Sequence, residues 1–385
     1  MICITGTRAD YGIYQPLLYE LHEDEQFDLK LVVTGMHLVK EYGKTIDEVR
    51  NDPFEIIAAP SILFKGDSTY AMSQSLGMGI LYFSDIFHYF SPQFILLLGD
   101  RGEMLAAAIA AHYQNIGIIH LHGGEISGSA DDSIRHAISK LSHLHFVSTL
   151  KSKQHLLQLG EEDWRIIPIG SLRQKEIKRI IHLSPSVKQE LAEKYSLQSH
   201  AKNVLILIHP DSKENRSFPE QINPVLAAID QLNDILLILI GPNSDAGGDL
   251  FREKMLEFAS KKKNACYFSS IPSEDYLYLL SQANLLIGNS SSGIIEAPFF
   301  HLPVINIGNR QKFREQADQI INTDYTSEEI LKHANQLLNV PRKFNSYNPY
   351  DIGVSPEKTM TAKLKSLASH PNLLQKYFVE KKAPE

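Results

Sequence analysis

The chain is short of cysteine, of long apolar runs and of basic charge, and each shortage removes a class of protein. Two cysteines in 385 residues, Cys3 and Cys266, exclude a disulfide scaffold. Both sit in apolar, strand-like surroundings and read as reduced, buried thiols. No Cys/His spacing of a zinc site is present, so neither a metal nor a cofactor is expected. The longest purely apolar runs, such as ILLILI at 235–240, are far too short to span a bilayer. The start, MICITGTRADYG, has neither a basic leader nor a long apolar stretch, so a signal peptide is not expected and the expected compartment is the cytoplasm. A net charge of −7 argues against bulk binding to nucleic acid, and any phosphate site must be local. The dinucleotide fingerprint GxGxxG is missing, which weighs against NAD.

What is present is an alternation of short apolar runs and amphipathic stretches. MICITG, LKLVVTG, FILLLG, IGIIHLHG, HFVST and RIIPIG read as strands, with helical patterns between them. Their apolar residues are continuous rather than alternating, which implies burial on both faces of a parallel sheet. The pattern pauses in the charged stretch after Gly170. It resumes with NVLILIHP, ILLILIGPN, ACYFSS, NLLIGNS, PVINIGN and QIINTD. The length also favours two domains. We place them at residues 1–172 and 173–354, each doubly wound, with an interdomain cleft. Two further helical stretches, PEKTMTAKLKSLASH and LLQKYFVEKK, are expected from about 355 to 385, packing back on the first domain.

Ligands of open parallel sheets sit at the carboxyl ends of the strands. Asp100 directly follows FILLLG and is a proton-transfer candidate, or a cap for the next helix. Glu103, in that helix's first turn, suits the helix dipole. The segment HLHGGEISGSADDSIRH is densest in chemistry. Gly123 and Gly124 would let the backbone approach a ligand, and Glu125 and Asp131 could form a proton-transferring pair. Asp131 or Asp132 is equally a helix cap. Arg135 and His136 could meet a ligand or those acids, while His143 and His145 read as structural. Earlier in the chain, Arg8 in GTRADYG could hold a phosphate.

In the second half His209 and Asn243 follow strands, and NSSSGIIEAP offers Ser290, Ser291, Ser292 and Gly293 at a helix start, where backbone N–H groups suit a pyrophosphate. Glu296 could accept ribose hydroxyl protons, and Arg310 and Arg314 could add positive charge.

In this order, GTRADYG, VTGMH, LGDR, HGGEISGSADDSIRHAISKLSH, GNSSSGIIEAP and NRQKFR resemble the hydrolysing UDP-N-acetylglucosamine 2-epimerases over nearly the whole chain. The resemblance implies an α/β, GT-B-like fold of two Rossmann-type domains. It implies release of UDP with inversion at C2, in sialic-type or legionaminic acid synthesis. It also implies catalytic acids at Asp100 and Asp131, and UDP contacts from Arg8, His209, Ser290–Gly293 and Glu296. A homo-oligomer, dimer or tetramer, is expected on the same ground. One departure is His122, where related sequences often carry Glu (HIEGG rather than HLHGG). Either His122 takes over the proton work, or Glu125 covers it, or the position is dispensable. UDP-N-acetylglucosamine is the default substrate. UDP-2,4-diacetamido-2,4,6-trideoxyglucose is the close alternative, with Met36, His37 and 67–78 as candidate sugar-pocket residues. The competing readings are a non-hydrolysing 2-epimerase, a GT-B glycosyltransferase and a non-catalytic nucleotide-sugar sensor.

Overall fold

The computed structural model describes the chain except residues 41–42, 65–68, 129–130, 198–201, 243–246, 340–346, 368 and 381–385. It divides into two compact units. One comprises Met1–Ile126, Ala130–Gln174 and Ile352–Glu385, the other Ser127–Ser129 and Lys175–Asp351.

The first unit is built on a parallel sheet of seven strands: β1 (Ile2–Thr5), β2 (Lys30–Val33), β3 (Glu55–Ala58), β4 (Phe94–Leu98), β5 (Gly117–Leu121), β6 (Leu144–Val147) and β7 (Ile166–Pro168). Their spatial order is β3-β2-β1-β4-β5-β6-β7. Its helices are α1 (Arg8–His22), α2 (Ile46–Arg50), α3 (Thr69–Phe90), α4 (Gly102–Tyr113), α5 (Asp131–Leu141) and α6 (Leu150–Gln158). Alternate residues of one strand feed opposite cores. Cys3 joins one apolar cluster, while Ile2 and Ile4 join the other. This two-sided burial is why the strands are continuous apolar runs. Helix α1 starts where it does because Thr7 and Asp10 form a reciprocal capping box.

The second unit holds α7 (Gln174–Ile181), α8 (Pro185–Lys194), α9 (Phe218–Asp230), α10 (Gly248–Ser260), α11 (Ser273–Gln282), α12 (Ser292–Ile295) and α13 (Ser327–Leu338). They surround a parallel sheet of β8 (Lys202–Leu207), β9 (Ile235–Ile240), β10 (Ala265–Phe268), β11 (Leu285–Gly288), β12 (Val304–Ile307) and β13 (Ile320–Thr323), ordered β10-β9-β8-β11-β12-β13. Again Val204 and Ile206 enter one core, and Leu205 and Leu207 the other. A last helix, α14 (Pro356–Leu367), returns to the first unit and packs on α1. Among the described residues no helix is long and apolar enough to cross a membrane.

Four local expectations need correction. Strand β3 was not expected; it is an edge strand with only partial burial, so its apolar signal is brief. The segment HLVKEYGKTIDEVR, expected from its pattern to be helical, is not one helix over its described residues, because Gly43 and Lys44 both take left-handed backbone (φ 89° and 47°), leaving the short α2. The charged stretch after Gly170 contains α7, whose Ile177 and Ile180 are buried. LLQKYFVEKK does not form a helix over its described part. Buried Arg165 donates to the carbonyls of Asn372, Leu373 and Gln375 at 2.7–3.0 Å, and Lys376 pairs with buried Glu161 at 2.6 Å. Carbonyls that a helix would use are spent on a guanidinium instead.

Buried histidines tie this unit together. His143 Nδ1 accepts the Ile118 N–H at 3.0 Å, and burial lowers its pKa from 6.5 to about 4. Burial similarly pushes His120 down to about 3 and His37 to about 4. Between pH 6.5 and 4 the unfolded chain therefore binds more protons than the folded one. Stability should fall as pH falls through that window, by at most about 1.4 kcal/mol per pH unit for each group. His143→Asn keeps an acceptor near Nδ1 and removes the titration. Its unfolding free energy should depend less steeply on pH between 6.5 and 4, as measured by urea denaturation; an unchanged slope would show that His143 does not contribute.

Candidate active site

Strand order reverses at one place in each sheet, and there the loops diverge to leave a crevice. In the first sheet that place is between the adjacent strands β1 and β4; in the second it is between β8 and β11. The loops after these four strands carry Arg8, Asp100, His209 and Ser290–Gly293.

On the first sheet, Leu98 of β4 pairs in register with Leu121 of β5. Asp100 and His122 follow directly, at the ends of neighbouring strands. His120, fully buried, braces this edge: its Nε2 meets the Gly99 carbonyl at 2.7 Å and its Nδ1 meets Ser139 Oγ at 3.0 Å. Asp100 is not a helix cap, because Arg101 occupies that position. It accepts instead from Arg135 Nη2. Arg135, only 2% exposed, also donates through Nη1 to Asp132 Oδ1 at 2.5 Å and to the Glu125 carbonyl at 2.9 Å. Asp132, rather than Asp131, therefore joins Asp100 through the guanidinium. Asp131 is exposed at the first position of α5. Glu125 is buried; its Oε1 accepts from Ser148 Oγ and lies 3.8 Å from His122 Nδ1.

Other expected contacts move. Gly123 and Gly124 are required by packing: a Cβ at Gly123 would lie 2.9 Å from His120 and Ser139, and one at Gly124 would lie 2.3 Å from the Ser152 carbonyl. His37 is fully buried, with its ring nitrogens on Thr5 Oγ1 (3.0 Å) and Thr45 Oγ1 (2.7 Å), so it shapes the β1 and β2 ends from inside. Met36 Sδ accepts from Arg101, which also pairs with Glu103 at 2.7 Å. Arg8, exposed at the start of α1, lies 3.5 Å from Glu48. His136 is half-buried on α5, and that burial lowers its pKa. His143 and His145 are structural, His145 facing buried Glu161 at 3.2 Å. Residues 67 and 68 of the proposed sugar-pocket segment lie outside the described residues.

On the second sheet, sequence reasoning missed the residue that builds the edge. Asn289, fully buried, accepts the His209 N–H through Oδ1 and donates through Nδ2 to the His209 carbonyl, both at 2.8 Å. This reciprocal pair locks the end of β8 to the end of β11. Gly288 must precede it, because a Cβ there would fall 1.9 Å from the Leu207 carbonyl. The Asn289 carbonyl in turn accepts from Arg310 Nη1 at 3.2 Å and Gln311 Nε2 at 3.3 Å. Burial first, and Arg310 second, lower the His209 pKa to about 3, so its imidazole is neutral. The expected helix start is shorter than the sequence implied. Helix α12 has four residues and gives way to a 3-10 turn at Ala297–Phe300. The N–H groups of Gly293 through Glu296 bond to the carbonyls of Ser290–Ser292, and the Ser292 N–H bonds to Ser290 Oγ at 3.4 Å. Ser292 Oγ is 2.5 Å from the Tyr276 hydroxyl. Glu296 and Arg314 are half-buried nearby in sequence, and Asn243 lies outside the described residues. Among the described residues no cluster of three or more His, Cys, Asp or Glu could hold a metal ion.

A family model described as UDP-N-acetylglucosamine 2-epimerase matches residues 19–362. The chain belongs to the UDP-N-acetylglucosamine 2-epimerase family. It is similar to a Legionella pneumophila protein named UDP-N,N'-diacetylbacillosamine 2-epimerase (hydrolysing), 39% identical over 98% of both chains. A Campylobacter jejuni relative named GDP/UDP-N,N'-diacetylbacillosamine 2-epimerase (hydrolysing) is 38% identical over 84% of each chain. Among solved structures, UDP-GlcNAc 2-epimerase from Neisseria meningitidis bound to UDP-GlcNAc is similar with a TM-score of 0.80. It is 19% identical, with 95% of this chain and 99% of that one covered, and it shares the GT-B-like fold.

Within this family member, Arg135 is the group on which the acidic edge depends. Arg135→Met removes the guanidinium that meets both Asp100 and Asp132. Removing one partner of a buried ion pair typically destabilises by about 3 kcal/mol. Urea unfolding of Arg135→Met should register a loss of that order; an unchanged midpoint would show that the carboxylates are balanced by other groups.

Proposed function

We propose that the enzyme is a hydrolysing 2-epimerase acting on a UDP-linked 2-acetamido sugar. The observation that carries this reading is the convergence of Asp100, His122, Asp132 and Arg135 at the end of β4 and β5, in a chain of this family. In the first step a base removes the proton from sugar C2, the C1–O bond breaks, and UDP leaves with the bonding electrons. The product is a 2-acetamidoglucal. In the second step water adds: hydroxyl goes to C1 and a proton to C2 from the opposite face. Free sugar of inverted C2 configuration and UDP result.

Asp100, Asp131 and His122 are our proton-transfer groups. Histidine is competent for this near neutral pH. Ser290–Ser292, His209, Arg310 and Arg314 would hold the pyrophosphate and uracil end, with Glu296 on the ribose and Arg8 on the departing phosphate. Binding of the developing UDP charge by Arg8 and Arg310 would favour bond breaking more than ground-state binding.

For the sugar we favour UDP-2,4-diacetamido-2,4,6-trideoxyglucose over the N-acetylglucosamine default. Two relatives at 39% and 38% identity carry the diacetylbacillosamine name, which describes this sugar. The liberated sugar would then feed a legionaminic-type nonulosonic acid rather than sialic acid. The family's own description names UDP-N-acetylglucosamine, so that nucleotide is the comparison arm.

Three measurements test the proposal. Reaction in deuterium oxide should place one solvent deuteron at C2 and release free UDP; product without deuterium would remove the elimination route, and UDP-linked product would mark the non-hydrolysing branch. Side-by-side kcat/KM should favour the diacetamido sugar; a preference for UDP-N-acetylglucosamine would reverse the substrate assignment. Glu296→Ala should weaken UDP binding by about 1.5–3 kcal/mol, roughly 10- to 150-fold, as expected for a hydrogen bond to a charged group. Unchanged affinity by calorimetry would assign Glu296 to the turn alone.

A further inference from the structure

His122 and Glu125 flank the two packing glycines at the end of β5. The His122 backbone is fixed: its φ is 61°, and its N–H donates to the Phe146 carbonyl of β6 at 3.1 Å. A side chain other than glycine in left-handed backbone is strained and persists where surroundings impose it. Here that backbone sets the ring with Nδ1 3.8 Å from Glu125 Oε1. The ring stays 13% exposed and the carboxylate 5%. Fully buried Ser148, just after β6, donates its hydroxyl to the same Oε1 and anchors the carboxylate from behind.

We propose that Glu125 is a positioning residue for His122. Across 3.8 Å its carboxylate favours the tautomer with the proton on Nδ1, so that Nε2 is the nitrogen that exchanges a proton with the substrate. The inference rests on the elimination–hydration reading. When Nε2 takes a proton, the ring becomes imidazolium and the Glu125 carboxylate stabilises it without receiving the proton. Nε2 then returns the proton to sugar or water, and the neutral Nδ1–H tautomer is restored. The logic is that of any histidine whose working nitrogen is selected by a partner on the other one.

Other titratable groups on the neighbouring elements have contacts of their own among the described residues. Asp100, after β4, and Asp132, on α5, are both engaged by Arg135. His120, within β5, is kept neutral by burial, and His145 on β6 faces Glu161. Sequence alone could not reveal the arrangement, because Ser148 comes from a different strand end.

The test uses the full-length enzyme with labelled histidine, the His122 resonance being assigned by its loss in His122→Asn. In the parent enzyme the ring should be the Nδ1–H tautomer. Glu125→Gln should lower the His122 titration midpoint by about one pH unit, a tenfold loss of proton affinity. It should lower kcat at least tenfold with KM within twofold, and move the His122 limb of the kcat–pH profile with the midpoint. Glu125→Asp keeps the charge but withdraws it, and should give a smaller shift in the same direction even if Glu125→Gln fails to fold. An unchanged midpoint in a folded Glu125 variant, or the opposite tautomer in the parent, overturns the proposal. The resonance measurements need no turnover, so failure to release UDP from either sugar nucleotide would sink the reaction assignment separately.

Discussion

The acidic edge of the first unit depends on one buried guanidinium. Arg135 is nearly inaccessible and meets two carboxylates and a backbone carbonyl at once. Two acids meeting one group would repel each other, and the Arg135 charge between them offsets that repulsion. The planar fork also fixes direction: Asp100 is reached through one nitrogen, Asp132 and the Glu125 carbonyl through the other. The loop after β4, the start of α5 and the turn after β5 are thereby tied into one edge. A lysine could supply the charge there but not three directed bonds.

The second unit solves the equivalent problem without charge. At its own switch point the chain uses an amide, Asn289, to copy a backbone hydrogen-bond pair onto His209. The close approach of β8 and β11 that this requires excludes any side chain at Gly288. The contrast follows from what each edge faces. One gathers acids around a guanidinium, and the other sets a His209 whose pKa burial lowers beside Arg310. A neutral imidazole can donate or accept there without adding to the local positive charge.

Much of this was legible in the chain, for a physical reason. Strands buried on both faces must be continuous apolar runs, and residues at their carboxyl ends must lie at the sheet's edge. FILLLGD and LILIHP announce Asp100 and His209 without any knowledge of their partners. What depended on pairing across elements was not legible. Asp132 and Asp131 are adjacent, and only the rotation of α5 decides which meets Arg135. His37 was a candidate sugar-pocket residue, and its ring nitrogens meet Thr5 and Thr45 inside the first unit. NSSSG read as a helix start, and the helix it opens ends after Ile295, where the chain, with Pro298 in it, passes into a 3-10 turn. Asn289 and Ser148 are unremarkable letters whose roles exist only through the neighbouring strand.

The histidine at position 122 fits the charge pattern around it. Glu125 is buried, and Arg135 gives that residue only a bond to its carbonyl while both guanidinium faces serve Asp100 and Asp132. A second carboxylate at 122 would stand opposite the Glu125 carboxylate and repel it, which favours a proton on one of the two. An imidazole in that place reverses the interaction. Neutral, it stands 3.8 Å from Glu125 without repelling it; protonated, it is attracted to it. The charge that develops during proton transfer is then met by a carboxylate already in position. On this argument the departure from the family's acidic residue is a different solution of the same electrostatic constraint, with Ser148 and Glu125 as the parts that make histidine workable there.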